Sequence, residues 1–368
     1  MKEYGLYIHI PFCKHKCYYC DFYSIVCLDS SLINSYIYAI EKEIIHFFEK
    51  FKIFYPLIST IYIGGGTPSI LNVDQIEKLF LILLKYFNFK NLKEITIELN
   101  PESVTEEKLR YIKDLFFSLT SNVRVSLGVQ TFNESILKSI GRIHTQRDIF
   151  NSIRLFKKVD LNNYNFDLIF GLPGQGIEDI KKDLEYISKF MPPHISYYAL
   201  TLEDNTILRN LGYVPDEDLQ AEIYKMIVDF LLKNEYNIYE ISNFAKKGYE
   251  CLHNLGYWRR NEYIGLGCSS SSFLGDIRVM NLSKVYEYVN FDFIYEIEKL
   301  NFEISMKEKI ILSLRTDEGL FLEKDILDKY GNIIEKMIKE KKLVVEDNYL
   351  KIPIEYKFIS NQILVEFI

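Results

Sequence analysis

Short apolar runs rich in Ile, Val and Tyr alternate with longer segments of helical period along the first 200 residues of this chain. The apolar runs lie at 6–10, 59–63, 94–99, 123–128, 164–170 and 194–200, and the helical segments between them lie at 31–50, 73–87, 105–118, 133–158 and 176–190. Alternation of this kind is typical of βα units around a parallel sheet. Right-handed crossovers would curl six such units into a barrel or part of one. The sequence therefore predicts an α/β protein with a partial (β/α)6 barrel.

The pattern changes after residue 215. A helix is predicted at 217–234, a strand-like run at 236–241, and a stretch containing Gly and Ser follows to about residue 275. From about residue 303, short helices precede "LVVEDNYLKI", which is typical of a hairpin. We therefore predict a barrel over 1–215, a connecting region over 216–300 and a small winged-helix-like α+β module over 301–368. The mixed charge of this last module favours a structural role.

Composition narrows the possible partners and the compartment. A net charge of −7 disfavours a general binder of the phosphate backbone, so we expect no nucleic-acid partner. We find no secretory signal and no run of about 18 apolar residues. Six cysteines in 368 residues are too few for a disulfide scaffold, so a reducing cytoplasm is expected. Cys27, Cys251 and Cys268 are interpreted as small buried apolar residues.

Three cysteines follow the first predicted strand in "HIPFCKHKCYYCDFYS", namely Cys13, Cys17 and Cys20. In barrels of βα units, chemistry takes place at the carboxyl ends of the strands. Three thiolates in one loop can hold three irons of a [4Fe–4S] cluster and leave the fourth iron free to bind a small molecule. This spacing therefore indicates an iron–sulfur cluster with an open position.

A zinc site is the alternative, with His9, His15 or Cys27 as the fourth ligand. However, C-x3-C is wider than the usual zinc knuckle, and neither a second C-x2-C pair nor an H-x3-H pair is present. We therefore favour the cluster.

Polar residues and glycines mark the ends of the next strands. The glycines of "IYIGGGTPS" (61–69) would let the backbone approach a ligand and offer it unhindered N–H groups, although such a run alone is most often a turn. Glu98 in "IELNP" could accept hydrogen bonds from two ribose hydroxyls or could be an ordinary exposed strand residue. Later units contribute Gln130, Arg142 and Asp167. Because each group comes from a successive βα unit, we expect all of them to face one cleft.

The spacing C-x3-C-x2-C with Tyr19 before the last cysteine resembles the radical S-adenosylmethionine (SAM) superfamily. The resemblance implies that the methionine part of SAM chelates the open iron and that one electron cleaves the sulfonium to a 5′-deoxyadenosyl radical. The cluster and SAM would supply the radical chemistry, and the protein would bind and orient them. An electron donor such as flavodoxin or ferredoxin is implied as a partner.

Nearly the whole chain is similar to one branch of this superfamily, which contains the oxygen-independent coproporphyrinogen III oxidases and the related heme chaperones. The resemblance implies two groups of SAM-binding residues. Positions that bind the first SAM in the oxidase are matched by Tyr7, Gly65, Gly66, Thr67 and Glu98. Positions that hold a second SAM are matched by Tyr19, Gln130, Arg142 and Asp167.

Two departures from the oxidase favour the chaperone side of the branch. The oxidase has a further cysteine, C-x3-C-x2-C-x-C, but here Cys20 is followed by Asp21 and Phe22. The oxidase also has a longer N-terminal extension that covers its active site, whereas twelve residues precede Cys13 here.

A third feature is "CLHNLGYW" (251–258), which fits the H-N-x-x-Y-W pattern associated with heme handling in the chaperones. His253 could ligate heme iron, and Tyr257 and Trp258 could supply flat apolar contact to a porphyrin. A packed histidine beside aromatic residues remains an equal alternative.

The resemblance therefore predicts a cytoplasmic radical SAM protein that binds heme and delivers it to apo-proteins, including respiratory enzymes at the inner face of the membrane. The first alternative is an anaerobic coproporphyrinogen III oxidase, which makes the vinyl groups of protoporphyrinogen IX. The second is a radical enzyme that acts on another substrate. The sequence does not identify a catalytic residue.

Overall fold

The computed structural model describes residues 2–368, and a twelve-stranded sheet runs through most of the chain. The first 200 residues contain, in chain order, β1 (Glu3–Ile10), β2 (Phe12–Cys13), β3 (Ile25–Val26), α1 (Ser30–Phe51), β4 (Leu57–Gly65), α2 (Val73–Tyr86), β5 (Glu94–Leu99), α3 (Glu106–Phe117), β6 (Val123–Gln130), α4 (Glu134–Ser139), α5 (Gln146–Lys158), β7 (Tyr164–Phe170), α6 (Ile177–Phe190) and β8 (His194–Ala199).

The six predicted apolar runs correspond to β1, β4, β5, β6, β7 and β8. These strands are neighbours in the sheet in that order, and every pair among them is parallel. Helices connect each strand to the next, as parallel pairing requires. The predicted partial (β/α)6 barrel is therefore confirmed.

Side chains along the parallel strands alternate between two environments, because successive residues of a strand point to opposite faces. In β5, Ile95 and Ile97 belong to the main hydrophobic core under the helices. Glu94, Thr96 and Glu98 point to the opposite face, the barrel interior. Most TIM barrels fill this interior with branched aliphatic residues. Here the interior is largely polar, which suits ligand binding.

The next segment contains α7 (Ile207–Asn210), α8 (Glu217–Lys233), β9 (Asn237–Ile238), β10 (Asn243–Ala245), α9 (Leu252–Trp258), β11 (Tyr263–Leu266), β12 (Ser271–Phe273), β13 (Ile277–Asn281), α10 (Val285–Val289) and β14 (Tyr295–Lys299). β10 pairs antiparallel with β8, and β9 pairs with β10. At the other edge, β11 pairs parallel with β1, and β12 to β14 follow antiparallel. The region predicted to be a connection thus adds strands to both edges of the barrel sheet. The predicted strand at 236–241 is reduced to β9.

The C-terminal segment contains α11 (Phe302–Leu314), β15 (Leu320–Phe321), α12 (Lys324–Lys339), β16 (Val344–Glu346), β17 (Tyr349–Lys351) and α13 (Ser360–Leu364). β16 and β17 form the predicted hairpin, and β15 completes a three-stranded antiparallel sheet. Leu314, Ile334 and Leu350 belong to a hydrophobic cluster that is distinct from the main core. Among residues 2–368, no helix has both the length and the apolar character needed to cross a bilayer.

The prediction of a single helix over 133–158 is wrong, because the structure has two helices there, α4 and α5. α4 ends at Ser139, and Gly141 then adopts a positive φ of 75°, a conformation that favours glycine. Thr145 begins α5 as its N-cap, and its side chain accepts a hydrogen bond from the N–H of Asp148. The break lies beside the barrel mouth and brings Arg142 into it.

Candidate functional site

A cleft of ≈ 380 Å³ opens at the carboxyl ends of β4 to β8. The thirteen residues predicted to bind metal or cofactor include eleven that line this cleft, which are Cys13, Cys17, Tyr19, Cys20, Gly65, Gly66, Thr67, Glu98, Gln130, Arg142 and Asp167. The structure thus brings together residues separated by up to 154 positions in the chain (167 − 13). Tyr7 and His253 lie elsewhere.

The three cysteines lie in one loop, and the short strands β2 and β3 pair at the base of this loop. Cys13 lies in β2, which pairs with β3, and the N–H of Cys27 donates to the Cys13 carbonyl. A turn brings the N–H of Cys20 within 3.3 Å of the Cys17 carbonyl. Cys13 is buried and the other two are half-buried. Burial raises the pKa of the Cys20 thiol.

The donor set fits a cluster better than a single ion. Among residues 2–368, no three His, Cys, Asp or Glu side chains converge as ligands of one metal ion. A [4Fe–4S] cluster does not require such convergence, because each thiolate binds a different iron. The loop supplies three thiols at one side of an accessible cleft, which is the chemistry that the cluster needs.

Two of the proposed fourth zinc ligands do not join the cysteines. The ring nitrogens of His9 are hydrogen-bonded to the Tyr7 hydroxyl and to the Tyr23 carbonyl at 3.0 and 2.9 Å. Cys27 is half-buried beyond the cleft, where its sulfur accepts from the N–H of Asp29. His15 lines the cleft. Cys251 and Cys268 are buried, as predicted, whereas the prediction of burial is wrong for Cys27.

The glycine run brings β4 against the cysteine loop. A Cβ atom on Gly66 would lie 2.9 Å from the Phe12 carbonyl oxygen and 3.1 Å from Cys13 Sγ, so only glycine fits without displacing the loop. The next residue, Thr67, is buried, and its hydroxyl donates to Cys13 Sγ at 3.4 Å. β4 therefore positions the first cysteine.

Two carboxyl groups face the cleft from β5 and β7. Glu98 accepts hydrogen bonds from the Tyr62 hydroxyl at 2.8 Å and from the N–H of Gly65 at 3.2 Å. Asp167 accepts from Ser126 Oγ at 2.7 Å. Burial and the charge of Asp167 raise the pKa of Glu98 to about 7, and burial also raises the pKa of Asp167. Paired carboxyl groups with raised pKa values are typical of a functional site.

Gln130 and Arg142 complete the far wall of the cleft. Gln130 has a positive φ of 66°, and the pairing of β6 with β7 is irregular beside it. Strained backbone of this kind concentrates at ligand sites. The Arg142 guanidinium donates to the Gly128 carbonyl at 2.7 Å and to Asn100 Oδ1 at 2.9 Å. Burial raises the pKa of Tyr19, which lines the same cleft.

Tyr7 lies on β1 behind the cleft. Its ring stacks on that of Tyr62 with centroids 6.2 Å apart, and its hydroxyl lies 3.0 Å from His9 Nδ1. Tyr7 therefore supports the cleft through Tyr62 and does not line it.

His253 lies at the amino ends of the strands, at the opposite end of the barrel from the cysteines. It lines a second cleft of ≈ 360 Å³ together with Ser59, Thr60 and Tyr257. Its Nδ1 is 2.8 Å from Thr60 Oγ1 and its Nε2 is 2.9 Å from the Tyr257 hydroxyl. Burial lowers the pKa of His253 to about 3. The imidazole is therefore neutral, which is the form that binds metals, but both nitrogens already have partners.

A strand carboxylate fixes the helix that carries His253. Glu94 of β5 accepts hydrogen bonds from the N–H groups of Leu252 and His253, both at 3.0 Å. Negative charge at a helix N-terminus is favourable. The position of α9 is thus set by a residue of the barrel interior.

The sequence reasoning missed several residues of the cleft, among them Tyr62, Asn100 and Ser126. A signal was present for β5 and β6, because polar residues or glycine occupy every second position of these strands and so share one face. Asn100 also stands in the same "IELNP" motif as Glu98.

Comparisons with known proteins agree with this geometry. A sequence profile of the radical SAM superfamily matches residues 7–187. The coproporphyrinogen III oxidase HemN of Escherichia coli, a radical SAM enzyme, has a TM-score of 0.84 at 22% identity, covering 100% of this chain and 90% of that chain. That likeness shows a common fold. The fold and the cysteine cleft thus define a radical SAM protein, and the superfamily implies a [4Fe–4S] cluster and SAM.

Comparison with individual proteins narrows the assignment from the superfamily to one family. Heme chaperone HemW of Lactococcus lactis is 38% identical over 93% of this chain and 91% of that protein. HemW of Bacillus subtilis is 34% identical over 89% of this chain and 87% of that protein. HemW of Escherichia coli is 36% identical over 72% of this chain and 69% of that protein. The chain belongs to the family of the heme chaperone HemW.

Proposed function

We propose that this protein binds heme and delivers it to apo-proteins. The observation that carries this proposal is the similarity to proteins named heme chaperone HemW, which reaches 38% identity and extends over 93% of the chain. Because the match covers the barrel and the segments after it, the proposal concerns the whole chain.

Cys13, Cys17 and Cys20 are proposed as the ligands of three irons of the cluster. The backbone of Gly65 and Gly66, the Thr67 hydroxyl and the Glu98 carboxylate would contact SAM on the β4 and β5 side of the cleft. Tyr19, Gln130, Arg142 and Asp167 line the opposite wall and are proposed to hold a second SAM. A reduced cluster supplies radical chemistry to bound SAM, and flavodoxin or ferredoxin is the proposed electron donor.

Heme is proposed to bind at α9 through His253 Nε2. Neutral imidazole is a common ligand of heme iron. A ligating histidine usually keeps its other ring nitrogen hydrogen-bonded, and Thr60 Oγ1 at 2.8 Å provides that partner for Nδ1. The Tyr257 hydroxyl at 2.9 Å must leave Nε2 first. Tyr257 would therefore release the histidine when heme arrives.

This arrangement keeps heme away from the cysteines. The cleft with His253 is formed at the amino ends of the strands and the cleft with the cysteines at their carboxyl ends. Separate sites suit a carrier, because the cargo is not exposed to the radical chemistry. Respiratory enzymes at the inner face of the membrane are the proposed recipients, and a cytoplasmic protein that associates peripherally with that membrane would reach them.

Heme titration and transfer test the proposal. Anaerobically reconstituted protein should bind heme with a defined Soret band at one heme per chain, and should pass it to an apo-globin added as acceptor. A control with free heme at the same concentration gives the uncatalysed transfer rate. Absence of saturable heme binding would contradict the proposal.

A further inference from the structure

A continuous chain of hydrogen bonds joins two of the three proposed cluster ligands. Arg142 Nη1 donates to Cys17 Sγ at 3.5 Å, and Nη2 donates to Asn100 Oδ1 at 2.9 Å. Asn100 Nδ2 donates to Thr67 Oγ1 at 3.1 Å, and the Thr67 hydroxyl donates to Cys13 Sγ at 3.4 Å. We call these three residues the Arg142–Asn100–Thr67 bridge.

Because Arg142 can only donate, it fixes the direction of every bond in this bridge. The amide oxygen of Asn100 must therefore face Arg142, and its NH2 group must face Thr67. Thr67 Oγ1 uses a lone pair for that bond, which leaves its hydroxyl hydrogen for Cys13. Both ends of the bridge therefore present a hydrogen to sulfur.

The protein holds the bridge from both sides. Arg142 Nε donates to His144 Nδ1 at 3.3 Å, and Nη2 also donates to the Gly128 carbonyl at 2.7 Å. The backbone N–H of Asn100 donates to Ser69 Oγ at 3.0 Å. A Cβ on Gly128 would come within 3.0 Å of Arg142 Nη2 and of Asn100 Oδ1. A side chain at position 128 would therefore enter the space that the bridge occupies, and glycine leaves that space free.

We propose that Asn100 is a positioning residue that aims Arg142 at Cys17 and Thr67 at Cys13, and thereby raises the reduction potential of the cluster. The inference rests on the ligand set given under the proposed function. One-electron reduction adds negative charge to the cluster and its thiolates. Donors to the sulfurs stabilise that charge, and the Arg142 cation adds to the effect.

The potential can be measured without SAM and without turnover. Wild-type protein and Asn100→Ala are reconstituted anaerobically, their iron and sulfide are counted, and each is titrated with dithionite while electron paramagnetic resonance follows the reduced cluster. We expect Asn100→Ala to keep its cluster and to become harder to reduce by about tenfold in the equilibrium constant, which is about 59 mV for one electron.

Thr67→Ser and Thr67→Val form a matched pair that keeps the proposal testable if Asn100→Ala fails to fold. Serine keeps the hydroxyl donor and should keep the wild-type potential, whereas valine keeps the shape and should lower the potential. Equal potentials in the wild type, Asn100→Ala and Thr67→Val, at full cluster content, would overturn the inference.

Failure of the ligand set would look different. If Cys13 or Cys17 is not a ligand, its serine variant keeps four irons per chain. Such a result would contradict the proposed cluster site, whereas a full cluster with an unchanged potential contradicts the bridge alone.

Discussion

Glu98 is the residue whose protonation should control SAM binding. Burial and the charge of Asp167 raise its pKa to about 7, so the carboxyl group is mostly neutral below pH 7 and ionised above it. Ionised acceptors make stronger hydrogen bonds. We therefore expect the affinity for SAM to increase as the pH rises from 6 to 8, by up to about tenfold through this group.

Glu98→Gln supplies the control, because the α-amino group of SAM titrates in the same range. The glutamine variant should bind SAM more weakly at pH 8 and should lose the part of the pH dependence that belongs to Glu98. Isothermal titration calorimetry at pH 6, 7 and 8 measures both effects. Identical pH profiles in the two proteins would remove Glu98 from the SAM site.

A second prediction concerns two cysteines that are ten positions apart. Cys17 lines the cleft, whereas Cys27 lies outside it and accepts a hydrogen bond from Asp29. Cys17→Ser should lose the cluster, and Cys27→Ser should keep about four irons and four sulfides per chain. Iron analysis and the brown absorbance after anaerobic reconstitution decide it. Loss of the cluster in Cys27→Ser would show that the ligand set is wrong.

At the scale of elements, the sequence predicts those strands that its local pattern specifies. The bounds of β5 and β7 agree with their apolar runs, because each run has a buried aliphatic face and ends at polar residues or glycine. β11 to β14 escape prediction, because they have only three to five residues each, and their stability comes from pairing with β1 and with one another. Pairing between distant segments leaves no periodic signal in the chain.

The same limit applies to the site. Glu98 and Asp167 are found because they lie in clearly predicted strands, Glu98 near the end of β5 and Asp167 in the middle of β7. Asn100 and Tyr62 are missed, because their roles depend on which partner the fold brings opposite to them. The break between α4 and α5 is also missed, since the apolar pattern continues across it while Gly141 ends the helix. The turn at Gly141 therefore determines the position of Arg142.

α9 gives a prediction at this scale, because His253 and Tyr257 lie one turn apart on it and are hydrogen-bonded at 2.9 Å. His253→Ala should weaken heme binding and change the Soret spectrum while the iron–sulfur content stays constant. Tyr257→Phe should bind heme at least as tightly as the wild type, because it removes the hydroxyl that occupies Nε2.

The exposed His46 provides a matched control for nonspecific ligation by histidine. Heme titrations of the wild type, His253→Ala, Tyr257→Phe and His46→Ala should show a loss only for His253→Ala. Equal affinities and identical spectra in all four would return His253 to a packing role.

The whole molecule has one barrel with a cleft at each end. The cysteines line the cleft at the carboxyl ends of the strands, and His253 lines the cleft at the amino ends. Tyr62 lines the cysteine cleft and donates to Glu98, and its ring centroid is 5.3 Å from that of His253. The two clefts are thus separate but are linked through the rings of Tyr62 and His253.

This separation leads to the prediction that the protein does not oxidise coproporphyrinogen III. That reaction removes a hydrogen atom from each of two propionate side chains, with loss of carbon dioxide and electrons, so the tetrapyrrole must be held with its propionates beside SAM. Misplacement by about 1 Å can cost about a hundredfold in rate. A tetrapyrrole held by His253 lies at the wrong end of the barrel for this chemistry.

The test is an anaerobic assay with SAM, an electron donor and coproporphyrinogen III, with an authentic oxygen-independent oxidase as the positive control. We expect SAM to bind and heme to load, while no protoporphyrinogen IX forms. Repeated turnovers would show that the cysteine cleft itself holds a tetrapyrrole, which would favour an oxidase. Such turnover should then survive in His253→Ala, since a substrate bound beside the cysteines does not need α9.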